Sequence, residues 1–198
     1  MGRCLAALGD AGFETGIEDP HWLAKASKGG HFLDIIHAND NGLGVVGEDW
    51  LKNAKETEVL GRRVSVIPAE EMLLSKMFVA ARDRYDLSDV LHLVFATCGE
   101  LDWERVLDKA GEHWELLLAY LHLYRYVYPS HAHYVPDEVL ERLSERHERE
   151  PTPGGFRFRG TMLDHVSFAV DVKEWGLPDE RVATRRGRCP GEGQGERS

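Results

Sequence analysis

The sequence predicts an α+β protein: a small mixed β-sheet followed by a helical bundle and a C-terminal extension. Two observations predict this class. Between residues 13 and 67, short apolar runs alternate with turn residues such as Asp19-Pro20 and Lys28-Gly29-Gly30, which is typical of an antiparallel meander. After Pro68 the chain offers longer helix candidates with short connections and good caps, as at Asp102.

The expected elements follow this division. We expect strands over residues 13–17, 22–27, 32–37 and 63–67, and a short amphipathic helix over 48–56. Helices are expected over residues 3–9, 69–82, 87–97, 102–110, 112–128 and 136–149. The expected domains are an α/β core over residues 1–67, a helical part over 68–150, an extension over 151–183, and a disordered tail over 184–198.

Composition and charge limit which partners the protein is expected to bind and in which cellular compartment it is expected to lie. The 198 residues carry a formal net charge of −10, so bulk attraction to DNA is not expected. Three widely spaced cysteines, Cys4, Cys98 and Cys189, favour a reducing cytoplasm over a disulfide framework or a zinc site. No apolar run approaches membrane-spanning length, and we therefore expect no membrane partner.

A lone carboxylate, Asp34, interrupts the apolar strand over residues 32–37. Strand alternation places Asp34 on the same face as Phe32 and Ile36, so we expect a buried charge there. One interpretation is a buried aspartate bonded to Lys25 of the neighbouring strand or to the backbone. The other is a site residue, although structural pairs are commoner than sites.

A lone lysine, Lys76, lies on the apolar stripe of the 69–82 helix beside Leu73 and Met77. It either extends its ammonium group from the edge of the stripe to solvent or contacts a phosphate.

Two acidic residues, Asp86 and Asp89, open the next helix candidate. Their spacing is that of an N-cap residue followed by the acid of a capping box, which any helix can use. They could also orient Lys76 or Arg82 beside a site.

Segments spread over residues 4 to about 180 carry a family resemblance. Two of them are Pro68-Ala69-Glu70-Glu71-Met72-Leu73-Leu74-Ser75-Lys76 and Arg84-Tyr85-Asp86-Leu87-Ser88-Asp89-Val90. Further matches lie over residues 5–15, 19–26, 32–36, 59–62, 159–163 and 171–176. In this combination the chain resembles bacterial proteins of the nucleotidyltransferase family, in the DNA polymerase beta-like superfamily. It is distantly similar to abortive-infection nucleotidyltransferase toxins, which makes a toxin–antitoxin-like role an open expectation.

The resemblance implies Mg²⁺-dependent transfer of NMP from an NTP to a hydroxyl group. Three carboxylates of the family hold two magnesium ions, and Asp34 is similar to the third of them, which makes it the candidate catalytic and metal-binding residue. Lys76 resembles the family's helical lysine near the nucleotide, and Asp86 and Asp89 match acidic positions of the next helix. With Lys25, these are the candidate nucleotide-binding residues.

The chain also departs from the family pattern. It has no Gly-Gly-Ser or Gly-Gly-Ala turn opening a helix, and its strand candidates carry no Asp-x-Asp or Asp-x-Glu pair. We expect both features to lie before Met1. One carboxylate cannot hold two hard divalent cations, so impaired catalysis is expected. The alternative is a non-catalytic binding or regulatory module.

Several partner questions stay open at this point. The acceptor could be RNA, a protein or a small molecule, and a homodimer or a partner that supplies the missing segment is possible. We also expect Asp34 and Lys76 to lie across one cleft.

Overall fold

The computed structural model describes residues 1–150 and 157–186, and its fold class is α+β, as predicted. The described chain divides into two compact units: Met1–Val46 with the segment from Asp179, and Gly47–Pro178. This division falls after Val46, whereas the sequence pattern placed a boundary after residue 67. Residues 151–156 of the extension, the tail beyond residue 186 and Cys189 lie outside the described residues.

Strands occupy the first third of the described chain, and helices dominate the rest. The strands are β1 Glu14–Asp19, β2 Leu23–Lys28, β3 His31–Ile36, β4 Lys55–Val59 and β5 Arg62–Val66. The helices are α1 Gly2–Asp10, α2 Glu48–Lys52, α3 Ala69–Met77, α4 Leu87–Ala96, α5 Trp103–Ala110, α6 Trp114–Val127, α7 Asp137–Arg149, α8 Gly160–Leu163, α9 Ala169–Lys173 and α10 Glu180–Arg186. None of the described helices is long and apolar enough to cross a lipid bilayer.

Two of the expected elements are wrong in extent. The helix expected over residues 48–56 ends at Lys52, and the chain forms strand β4 from Lys55 onward. Helix α3 ends at Met77 and not at residue 82, because the chain then turns into a loop closed by an Ala80–Tyr85 bridge. The other predicted helices and strands are confirmed to within two residues at each end.

The expected mixed sheet is wrong, because the described strands form two separate sheets and every strand pair in them is antiparallel. The first unit contains the three-stranded sheet, in the order β1-β2-β3. Lys25 of β2 lies directly opposite Asp34 of β3. Ala24 and Ala26 are fully buried on one face of β2. Lys25, Asp34, Phe32 and Ile36 share the other face, which is exposed.

The second unit holds the main apolar core, which α3 to α7 build together. Its most deeply buried side chains are Leu73, Met77, Val90, Val94, Val106, Leu117, Leu121, Tyr124, Val135 and Leu143. The hydroxyl of Tyr120 donates a hydrogen bond to the Met77 carbonyl at 3.1 Å inside this core. Burial raises the pKa of Tyr120 and of Tyr124 to about 12.

Part of the C-terminal extension contacts the loop after α3 through a buried carboxylate, Asp164, which is 5% exposed. Its Oδ2 accepts a hydrogen bond from the Arg82 backbone N–H at 3.1 Å, and its Oδ1 accepts from the backbone N–H groups of Val166 and Ser167. The hydrogen bond from the Ser167 side chain and these backbone N–H groups outweigh burial and lower the pKa of Asp164 to about 2.

The Asp164→Asn substitution is expected to lower the free energy of unfolding by about 2 kcal/mol at neutral pH, since it removes a charged acceptor of several hydrogen bonds. The folded-state pKa is lower than the ordinary value of 3.8, so this contribution is complete above pH 3.8 and is lost as pH falls toward 2. Urea unfolding should show the difference between parent and variant narrowing over that range. A difference that is constant with pH, or one matched by the exposed control Asp137→Asn, would contradict the assignment.

Candidate functional site

The second unit brings Lys76, Asp86 and Asp89 together in one ion cluster. The Nζ of Lys76 on α3 donates to Asp86 Oδ2 at 2.9 Å and to Asp89 Oδ2 at 2.6 Å. The Lys76 and Asp86 side chains are largely buried, and that of Asp89 is half-exposed. The cluster therefore ties the last turn of α3 to the first turn of α4.

Local backbone structure places these three side chains. After α3 the loop folds back, because the Asp86 N–H donates to the Val79 carbonyl at 3.0 Å. Asp86 holds the N-cap position of α4, as predicted, but its side chain does not cap the helix. It accepts from Lys76 and, more weakly, from Arg84 at 3.4 and 3.5 Å. The capping-box interpretation is therefore wrong for the side chains. Asp86 and Asp89 do bond to Lys76, and their role beside a nucleotide site stays a prediction.

The electrostatics of the cluster favour the charged form of its buried members. Burial alone would lower the pKa of Lys76, but the hydrogen bonds to Asp89 and Asp86 outweigh it and raise that pKa above its ordinary value. Burial likewise opposes ionisation of Asp86, yet Lys76 and Arg84 lower its pKa. Two carboxylates already compensate the Lys76 charge and use two of the three N–H donors of its ammonium group.

Asp34 and Lys25 lie in the first unit, on the exposed face of the β2–β3 pair. The expectation that Asp34 is buried is wrong, because Phe32 and Ile36 on its face are 70% and 56% exposed. Within the described residues, no hydrogen bond or ion pair of the Asp34 or Lys25 side chain is found. Lys76 lies in the second unit, and the expected cleft between Asp34 and Lys76 stays a prediction.

The donor set around Asp34 does not fit a pair of magnesium ions. Ser27 is the only other oxygen-bearing side chain of β2 and β3 that shares its face. Glu14 of β1 shares the face too, but β2 separates it from Asp34. In the described part of the chain, no group of three or more His, Cys, Asp or Glu side chains could hold a metal ion. One carboxylate and one hydroxyl are too few ligands for two cations that each prefer six oxygens.

One Asp-x-Glu pair, Asp102-Trp103-Glu104, occurs in the chain, but on a helix. Asp102 Oδ1 accepts from the Arg105 N–H at 3.0 Å and so caps α5, as predicted. Glu104 pairs with Arg142 of α7. These roles are structural.

A second ion cluster, around Glu71 of α3, has no counterpart in the sequence analysis. Glu71 is 1% exposed, and its Oε1 accepts two hydrogen bonds from the Arg105 guanidinium, one of them at 2.9 Å. Lys109 Nζ lies 3.5 Å from the same oxygen and 2.5 Å from Asp49 Oδ2. The hydrogen bond to Glu71 raises the pKa of Arg105.

Helical periodicity offers one signal for the burial of Glu71. It lies one helical turn before Leu74, which packs against the apolar core. That spacing places the carboxylate beside the apolar stripe of α3, although it does not identify the cations that compensate the charge.

The chain matches no protein-family model, no curated protein and no solved structure.

Proposed function

We propose that this chain is a nucleotidyltransferase-like protein that belongs to the cytoplasm and handles a nucleoside triphosphate. The observation that supports the proposal best is the exposed carboxylate of Asp34, which lies midway along an antiparallel strand pair and is open to a ligand. The residue patterns around Lys76 and Asp86, which resemble the nucleotidyltransferase family, support it from the sequence.

The proposed chemistry of the class is transfer of NMP from an NTP to a hydroxyl group of RNA, a protein or a small molecule. The resembled family uses two magnesium ions for this transfer, and the described residues around Asp34 do not fit such a pair. In this chain Asp34 would supply one ligand to such an ion. Lys76 would hold α3 and the start of α4 in place, since its charge is already paired.

We infer that these residues alone bind magnesium and nucleotide weakly, because one exposed carboxylate is a poor site for a hard divalent cation. Calorimetric titration of the chain with Mg²⁺ and ATP is expected to give at most weak heats. The Asp34→Asn variant should reduce them further, whereas Glu14→Gln, an exposed carboxylate on the same sheet, should not. Submicromolar Mg²⁺-dependent binding by the parent would contradict this inference.

Catalysis is tested on the longest open reading frame that contains these residues, supplied with radiolabelled NTPs. An enzyme would be supported if the label is transferred by the parent and by Glu14→Gln but not by Asp34→Asn. Nucleotide binding without transfer would support the second candidate, a non-catalytic binding or regulatory module. The structural observation in favour of this module is that the Lys76 charge is already compensated.

A further inference from the structure

The β4–β5 hairpin of the second unit is an amphipathic ribbon whose ten strand residues are all exposed. Among the described residues, β4 and β5 pair only with each other. A two-stranded sheet on its own is marginally stable in water, and a third or fourth strand supplies the missing stability.

The two faces of the hairpin differ in chemistry. Register pairs Val59 with Arg62, Thr57 with Val64, and Lys55 with Val66. One face therefore carries three valines, each opposite one of Lys55, Thr57 and Arg62. Glu56, Glu58, Arg63 and Ser65 share the other face. Val59, Val64 and Val66 are 36–49% exposed, which leaves an apolar strip open along the hairpin.

The turn of the hairpin adds a further exposed apolar side chain. Leu60 and Gly61 have φ values of 50° and 73°, the left-handed backbone that a two-residue hairpin turn requires. Leucine is strained in this conformation, and Leu60 is 99% exposed. Asparagine or glycine would form the same turn without that strain, so the leucine side chain extends the apolar strip at a cost in backbone energy.

The two open edges of the hairpin differ in whether they can pair with themselves. An antiparallel β4–β4 pair centred on Thr57 places Glu56 opposite Glu58 of the second copy, twice, and like charges directly opposite are destabilising. An antiparallel β5–β5 pair centred on Val64 places Val64 opposite Val64, Arg63 opposite Ser65 and Arg62 opposite Val66. No like charges face each other in that register.

The backbone of β5 fits the same register. In a hairpin with a two-residue loop the flanking pair, Val59–Arg62, is hydrogen-bonded, and bonded pairs then alternate along the ladder. The backbone groups of Arg63 and Ser65 therefore point away from β4. These are the groups that exchange hydrogen bonds across a two-fold axis at Val64. Arg63 is also balanced within its own hairpin, by Glu56 at 3.7 Å.

We propose that β5 pairs antiparallel with β5 of a second copy of this chain, with Val64 at the two-fold axis. The product is a continuous four-stranded antiparallel sheet whose apolar face combines the valine strips of both hairpins. This surface is independent of the proposed nucleotide chemistry.

The first test compares two matched proline variants by analytical ultracentrifugation. Ser65→Pro removes an outward N–H from the β5 edge, and Glu56→Pro removes an outward N–H from the β4 edge. Neither N–H belongs to the β4–β5 ladder. The parent and Glu56→Pro are expected to be dimeric and Ser65→Pro monomeric. A monomeric parent, or equal effects of the two prolines, would overturn the proposal.

The second test does not depend on how the proline variants fold. In a chain whose three cysteines are replaced by serine, Val64→Cys should form an intermolecular disulfide on mild oxidation. The reason is that directly opposed residues of a non-hydrogen-bonded pair lie about 4.5 Å apart at Cα, within disulfide range. Ser65→Cys, whose partner in this register is Arg63, should cross-link far less. Equal cross-linking at both positions would also overturn the proposal.

Discussion

Replacing Glu71 by alanine is expected to lower the free energy of unfolding of the second unit by about 3 kcal/mol, because removal of one partner leaves buried charge uncompensated. The carboxylate is 1% exposed and accepts both hydrogen bonds of the Arg105 guanidinium on one oxygen. Without it, Arg105 and Lys109 would face each other at the junction of α3 and α5 with no buried anion between them.

Urea unfolding monitored by tryptophan fluorescence measures this loss. The matched control is Glu104→Ala, which breaks an arginine–carboxylate pair whose glutamate side chain is 75% exposed. An exposed pair of this kind contributes less than about 1 kcal/mol. Similar losses for Glu71→Ala and Glu104→Ala would contradict a special role for the buried cluster.

The helical part of the fold was predictable because its signals are local. Helix α5 illustrates this: Asp102 caps it as expected, and Trp103, Val106 and Ala110 follow at helical spacing and are buried. Each of these signals lies within one or two turns of chain, so no knowledge of the tertiary structure is needed to read it.

Strand β4 and the burial of Glu71 escaped prediction for physical reasons. The β4 sequence, Lys-Glu-Thr-Glu-Val, is mostly charged and becomes a strand only by pairing with β5 across the Leu60-Gly61 turn. The charge of Glu71 can be buried only because Arg105, thirty-four positions later in the sequence, pairs with it. Periodicity places Glu71 on a face of its helix, but it does not identify Arg105 as the residue that pairs with it.

In the candidate site too, the sequence predicted local placement correctly and missed features that depend on tertiary structure. Strand alternation correctly placed Asp34 with Phe32 and Ile36, but the exposure of that face depends on which elements cover the sheet, and the sequence pattern does not encode this. The spacing of Asp86 and Asp89 correctly located the start of α4. Their side chains bond to Lys76 and not to the helix N–H groups, since a buried ammonium group requires anionic partners more strongly than a helix end does.

The Lys76→Met substitution is expected to lower the free energy of unfolding by about 2 kcal/mol, because it leaves two adjacent carboxylates, one of them largely buried, without a counter-charge. The substitution should also change how the free energy of unfolding depends on pH. The raised Lys76 pKa means that the pairing stabilises the fold fully below pH 10.5 and is lost as pH rises through the folded-state value. The lowered Asp86 pKa means that the pairing is complete above pH 3.8 and is lost as pH falls. The methionine variant should lack the alkaline dependence and keep only a reduced acidic one, because Arg84 still donates to Asp86.

A combined variant, Lys76→Met with Asp86→Asn and Asp89→Asn, separates a structural role from a nucleotide-binding one. Removing all three charges together should restore most of the stability, because replacement of every partner of an ion cluster is far less destabilising than removal of one. Lys52→Met, which breaks an exposed pair with Glu48 on α2, serves as the surface control and should change stability little. ATP binding is compared in the longest open reading frame, with and without the three substitutions. If the combined variant regains stability and binds ATP as strongly as the unsubstituted frame, the role of Lys76 is to hold α3 against α4. If stability returns and ATP binding is lost, the cluster of Lys76, Asp86 and Asp89 contributes to nucleotide binding as well as to stability.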